Sequence, residues 1–299
     1  MDIQQLRGVI PPLVTPVDGQ ENVVETQLRN LIEYVLAGGV HGVFVLGSTG
    51  EFYGLDFDNQ QRVVEITVDQ VRGRVPVYVG ASAITTRECV KLTRMAENLG
   101  AAAVSVLTPM FIQPTKAELY RHYETIAKST GLPVLLYNNP DKTGVNLSAD
   151  VVAKLADIDN IIGVKDSSGD MTLTAEMIRR TQGKAFRVIA GRDMLIFATL
   201  AYGGYGTVAA TANVAPKLVV EIYEKFMAGD LEGARAAQFR LAPLRLAFSL
   251  GSFPVVTKDA LNLIGVPAGD PIRPVEHCSE ANLTQLRKIL EQLGLARSV

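Results

Sequence analysis

Two kinds of hydrophobic pattern alternate along this chain: short, nearly continuous apolar runs, and longer stretches in which apolar residues recur every three or four positions. The first kind reads as strands buried on both faces, the second as helices with one apolar stripe. Taken in order, the predicted strands are Gly8–Val14, Gly42–Leu46, Val75–Gly80, Ala102–Leu107, Pro133–Tyr137, Ile161–Lys165, Phe186–Ala190 and Gly206–Ala210. Pro11 and Pro12 remove two ladder donors from the first and bend it. Between strands, Leu28, Leu31, Ile32 and Val35 share one helix face, and Gly38-Gly39 stops that run. Helices are likewise predicted over Glu88–Asn98, Lys116–Ser129 and Thr172–Thr181, ending ahead of Gly100, Gly131 and Gly183.

Strand-helix alternation with unalternating apolar strands means a parallel sheet covered on both sides. Eight such units in roughly 220 residues match a closed (β/α)8 barrel in count and size. The competing open, doubly wound sheet carries a glycine-rich turn after its first strand, but here that position reads Thr15-Pro16-Val17-Asp18-Gly19. Beyond the eighth unit only helical runs follow: Asp230–Leu250, Val255–Leu263 and Glu280–Leu293. The expected fold is therefore α/β, a TIM barrel over residues 1–229 with a C-terminal helical extension over 230–299.

Composition narrows the function without naming it. Of the 299 residues 47% are hydrophobic and 20% charged, with a formal charge of -2, which describes a soluble globular protein without a polyanion partner. No run approaches the ~20 apolar residues of a membrane span, and Met1–Gln5 lacks a secretion-signal pattern, so a cytoplasmic protein is expected. Cys89, Cys278, His41, His122 and His277 show no ligand spacing, and no metal held by them is expected.

In a β/α barrel the active site lies at the C-terminal ends of the strands. Taken alone, Lys165 reads as a surface lysine paired with Asp166. At the end of the sixth strand, beside Tyr137 at the end of the fifth, it becomes a candidate nucleophile. An ordinary lysine with a pKa near 10.4 is neutral in about one molecule in 2,500 at pH 7, so imine chemistry needs a desolvated site. It also needs proton transfers, which a phenol coupled to a hydroxyl such as that of Thr49 can supply. The loop Gly47-Ser48-Thr49-Gly50 offers hydroxyls and backbone N–H groups suited to a carboxylate, although it also reads as an ordinary strand-to-helix turn. Gly203-Gly204-Tyr205-Gly206 precedes a strand and reads as tight packing. Asp166, Asp170 and Asp193 read as solvated loop carboxylates.

Four motifs in order, Gly47-Ser48-Thr49-Gly50-Glu51, Tyr137-Asn138-Asn139-Pro140 with Thr143-Gly144, Gly163-Val164-Lys165-Asp166, and Thr211-Ala212-Asn213-Val214-Ala215-Pro216, resemble the dihydrodipicolinate synthase and N-acetylneuraminate lyase superfamily. The resemblance covers nearly the whole chain and implies a class I enzyme whose Lys165 forms an imine with pyruvate or a 2-oxo acid. It further implies Tyr137 as acid/base, Ser48 and Thr49 as carboxylate ligands with Thr49 linked to Tyr137, and backbone at Gly191 and Val208 lining the pyruvate site. It implies no cofactor and a homotetramer built from tight dimers.

Two positions depart from the synthase pattern. Phe111 stands where a tyrosine lent by the neighbouring subunit completes the proton relay, and Lys142 stands where an arginine holds the semialdehyde carboxylate. The leading expectation is therefore a lyase that cleaves or builds a 2-keto-3-deoxy sugar acid or related 4-hydroxy-2-oxo acid, with Ser167 and Asp193 meeting substrate hydroxyls and Lys142 among the binding residues. A dihydrodipicolinate synthase with an altered relay is the alternative. A barrel that binds pyruvate without turnover is the reading from a different class.

Overall fold

The computed structural model describes residues 3–296, so Met1 and Asp2 of the polar N-terminal run lie outside the described residues. Eight strands occur among them: β1 (Gly8–Val9), β2 (Val43–Val45), β3 (Val77–Gly80), β4 (Ala103–Leu107), β5 (Val134–Asn138), β6 (Ile161–Asp166), β7 (Arg187–Ala190) and β8 (Gly206–Thr207). Helix follows each strand, and the fold is α/β, of the (β/α)8 barrel class with further helices at the C-terminal end. Among the described residues no helix is long and apolar enough to cross a membrane. The chain packs as two units, one comprising Pro76–Val208 with the N-terminal segment through Gly8, the other Val9–Val75 with the segment from Ala209 onward.

In the first unit β3 to β8 lie side by side in chain order, every pair parallel. All residues of β4, β5 and β6 are buried, as expected where helices cover both faces of a sheet. Leu92 and Met95, Tyr123 and Ile126, Val152 and Leu155, and Met177 and Ile178 give four successive helices their buried stripes. Local chemistry starts these helices: Thr115 and Glu118 form a reciprocal capping box, and the Asp170 carboxylate accepts from the N–H groups of Thr172 and Leu173.

Strands β6 and β7 approach unusually closely at one point. A Cβ at Gly163 would stand 2.3 Å from the carbonyl oxygen of Arg187 and 2.9 Å from the Leu6 side chain. Arg187, itself buried, donates from Nη1 to the carbonyls of Gln4 and Leu6 and from Nη2 to the Gln4 side chain, and it lies 4.3 Å from the Tyr205 ring centroid. The N-terminal segment is thereby fastened across the start of β7.

In the second unit the predicted first strand is shorter than Gly8–Val14: assigned strand stops at Val9. Pro11 and Pro12 bring no N–H, yet the direction of the chain persists, because the Phe44 N–H donates to the Pro11 carbonyl and the Leu13 N–H to the Phe44 carbonyl. The predicted eighth strand also ends early, at Thr207 in the first unit, and Ala210–Asn213 is a 3-10 turn. Asn213 gives that turn its place: Nδ2 donates to the carbonyls of Pro12 and Ala210, and Oδ1 accepts from the Val14 N–H. Helices over Leu231–Ala247, Val255–Leu263 and Glu280–Gln292 occupy the three predicted C-terminal runs.

Gly163→Ala is expected to destabilise the protein by about 2–3 kcal/mol or more, since backbone rather than a flexible side chain blocks the added methyl. Chemical denaturation measures it, and an unchanged midpoint contradicts the close approach of β6 and β7.

Candidate active site

The register of the first unit sets one row of side chains across four strands: Leu107 pairs with Tyr137, Tyr137 with Lys165, and Lys165 with Ile189. Directly paired residues on neighbouring parallel strands share a face of the sheet. Lys165 is 4% exposed and Tyr137 5% exposed, which removes the surface-lysine reading. The Lys165 Nζ lies 3.8 Å from the centroid of the Tyr137 ring, so the ring face holds the amine while the phenol stands beside it. Asn139 Nδ2 donates to the Tyr137 hydroxyl at 3.0 Å, which fixes where that oxygen points.

The next row faces the opposite way and has a different task. Asp166, 4% exposed, is not a solvated loop carboxylate. Its Oδ1 accepts from Asn138 Nδ2 and the Ser168 N–H, and its Oδ2 from the hydroxyls of Ser168 and Thr174. Asn138 in turn accepts the Leu147 N–H and donates to Asn146. This network joins the ends of β5 and β6 to the helix Met171–Arg180, and it keeps a buried charge satisfied without using Lys165.

The other predicted positions of this unit fall around the same strand ends. The Gly191 N–H donates to the Asp166 carbonyl at 2.7 Å, and a Cβ there would lie 2.0 Å from the Ser167 Oγ. Only glycine fits that approach. Ser167 is buried, its N–H donates to the Asn138 carbonyl, and its own carbonyl accepts from Arg192 Nε. Arg192 also pairs with Asp141. The Val208 N–H donates to the Ala190 carbonyl at 2.8 Å. Asp193, 3% exposed, is buried at the start of the 3-10 turn Asp193–Leu195 and is likewise not solvated. Lys142 lies exposed in the short helix Pro140–Thr143. Phe111 is 92% exposed and has φ +70°.

Ser48 and Thr49 belong to the second unit, in the 3-10 turn Ser48–Gly50. The first N–H groups of such a turn have no partner within it, and Thr49 is buried while Ser48 is half-buried. Thr15 Oγ1 donates to the Gly50 carbonyl at 2.7 Å. Glu51, fully buried, pairs with Lys258 and accepts the Ile272 N–H at 2.9 Å. The sequence reading did not give these roles to Asn138, Asn139, Arg192 or Lys258. For the two asparagines a signal existed in the Tyr137-Asn138-Asn139-Pro140 motif; for Arg192 and Lys258 the partners are distant in sequence.

Comparison with known proteins extends over the same span. The family model described as dihydrodipicolinate synthetase family matches residues 5–293. The 4-hydroxy-tetrahydrodipicolinate synthase of Methanopyrus kandleri is 39% identical over 293 residues, 97% of each chain. That of Methanoculleus marisnigri is 38% identical over 289 residues, 96% of this chain and 99% of the other. Among solved structures, the dihydrodipicolinate synthase of Thermotoga maritima is similar with a TM-score of 0.94 at 35% identity, over 97% of this chain and 99% of that one. A prophage protein of the dihydrodipicolinic acid synthase family from E. coli K12, in complex with pyruvate, gives 0.94 at 33% identity over the same shares.

Replacing Asp166 by Ala strands the donors of Asn138, Ser168 and Thr174 in a buried place, and is expected to cost about 2–4 kcal/mol of unfolding free energy. Asp166→Asn, which keeps an acceptor, is expected to lose less. Urea unfolding of the two variants checks the order, and equal losses contradict the network.

Proposed function

This chain belongs to the dihydrodipicolinate synthetase family, and on that premise we propose that Lys165 forms an imine with pyruvate, which then condenses with aspartate semialdehyde. The family is one of Schiff-base-forming carbon–carbon lyases, so turnover rather than mere binding is the reading that follows. The observation that carries the proposal is the buried Lys165 amine against the Tyr137 ring at the paired ends of β5 and β6.

The chemistry runs in four steps. The neutral Lys165 amine attacks C2 of pyruvate, and the carbinolamine loses water once a proton reaches its oxygen; Tyr137, whose hydroxyl oxygen is oriented by Asn139, is the donor. The resulting iminium is an electron sink, so a proton leaves C3 and an enamine forms. C3 then attacks the aldehyde carbon of the acceptor, and the new alkoxide takes up a proton. Release of Lys165 follows by attack of the acceptor's amine, or of water, on C2. The pyruvate carboxylate is assigned to Ser48 and Thr49, with backbone at Gly191 and Val208 lining its pocket, by resemblance to the family. Lys142, Ser167 and Asp193 are assigned to the acceptor.

The names of the relatives favour synthesis over the cleavage of 2-keto-3-deoxy acids expected from the sequence. Cleavage is kept as the second reading because of Phe111 and Lys142: a phenyl ring passes no proton, and an ammonium makes no planar bidentate contact with a carboxylate. The proposal extends to a cytoplasmic homotetramer, a dimer of dimers. The exposed apolar side chains of Phe111 and Ile112, adjacent in the chain, support their burial by another copy.

Incubation with pyruvate and cyanoborohydride is expected to add a carboxyethyl group to the peptide containing Lys165, and Lys165→Met to abolish the adduct. An unlabelled Lys165 overturns every imine mechanism. Tyr137→Phe is expected to lower kcat about 10²–10⁴-fold while the protein stays folded. Product formation from pyruvate with aspartate semialdehyde supports the synthase; pyruvate release from 2-keto-3-deoxy acids without that synthesis replaces it with the lyase.

A further inference from the structure

Two residues after Thr49, the chain buries a carboxylate in a backbone conformation that few side chains adopt. Glu51 has φ +54° and no exposed surface. A non-glycine residue there is strained and persists only where surrounding contacts over-determine it. Those contacts come from far along the sequence. Glu51 pairs with Lys258, also 0% exposed, which lies in the helix Val255–Leu263. Its Oε1 accepts the Ile272 N–H, and Lys258 Nζ donates onward to the Asp270 carbonyl at 2.6 Å. The Asp270 N–H donates to the Val17 carbonyl, closing the arrangement onto the segment that also holds Gly50 through Thr15.

Stability alone does not account for such a pair. Two fully buried charges lose their hydration, and an apolar pair of similar volume is often as stable or more so. The location does account for it. The Glu51 N–H donates to the Ser48 carbonyl, so fixing Glu51 fixes the peptide planes of the 3-10 turn whose N–H groups and hydroxyls face a carboxylate in the proposed reading. Lys258 also offsets the negative charge of Glu51, two residues along the chain from Thr49.

We infer that the Glu51–Lys258 pair is the positioning device of the Ser48–Thr49 carboxylate cradle, through which the C-terminal helices govern affinity for the 2-oxo acid. This rests on the assignment of Ser48 and Thr49 to the pyruvate carboxylate. Both residues of the pair act through that turn and touch no reacting atom.

The test compares the unsubstituted protein, the apolar double variant Glu51→Leu/Lys258→Met, and Glu51→Gln, which keeps side-chain volume and an oxygen for the Ile272 N–H. Cyanoborohydride trapping of pyruvate on Lys165 is measured against pyruvate concentration, with the unfolding midpoint recorded for each protein. The double variant is expected to unfold close to the unsubstituted protein, yet to need about tenfold more pyruvate for half-maximal trapping, the loss of roughly one charge-assisted contact. The amount trapped at saturation is expected to stay unchanged. Should the double variant not fold, the same rise is expected of Glu51→Gln. Unaltered half-saturation in either folded variant overturns the inference while leaving the imine standing. No trapping in the unsubstituted protein overturns the imine reading and the inference with it.

Discussion

Neighbouring residues on a strand point to opposite faces of the sheet, and on β6 that rule separates Lys165 from Asp166. Had the two formed a turn at the surface, they would have satisfied one another. Instead Lys165 joins the row Leu107–Tyr137–Lys165–Ile189, and Asp166 meets Asn138, Ser168 and Thr174 on the other side. The lysine Nζ lies 3.8 Å from the centroid of the Tyr137 ring. Close packing at Gly163 holds the register, because β6 cannot slide by one residue without driving a side chain into the backbone of β7.

Several buried charges among the described residues stand where strands begin or end. Arg187 fastens the N-terminal segment at the start of β7. Asp166 gathers the loops after β5 and β6, and Glu51 with Lys258 sits behind the turn after β2. In each case hydrogen bonds or an opposite charge offset the loss of hydration. The strands between these points are almost wholly apolar, so the polar chemistry is confined to their ends, where an α/β barrel builds its sites.

Much of this was legible in the pattern of apolar residues. All eight strands occur, and the placing of Lys165 and Tyr137 at the ends of adjacent strands was readable from position alone. Pro11 and Pro12 warned of an irregular first strand, and assigned strand does stop at Val9. Less legible were the contacts that orient the site. Asp166 looks solvated in sequence because a polar loop follows it, and only the register shows it turning inward. Glu51 and Ile272 are 221 residues apart, and no local periodicity links a turn after the second strand to a peptide near the C-terminal end. The side chain of Asn139 could have faced water or Tyr137 equally well on sequence grounds.

Lys165 as the imine-forming residue, against the Tyr137 ring, is the proposal that unites these features. A crystal structure of the protein grown with pyruvate tests it most directly. The account predicts continuous density from the Lys165 Nζ to C2 of pyruvate. An unmodified Lys165 would contradict it.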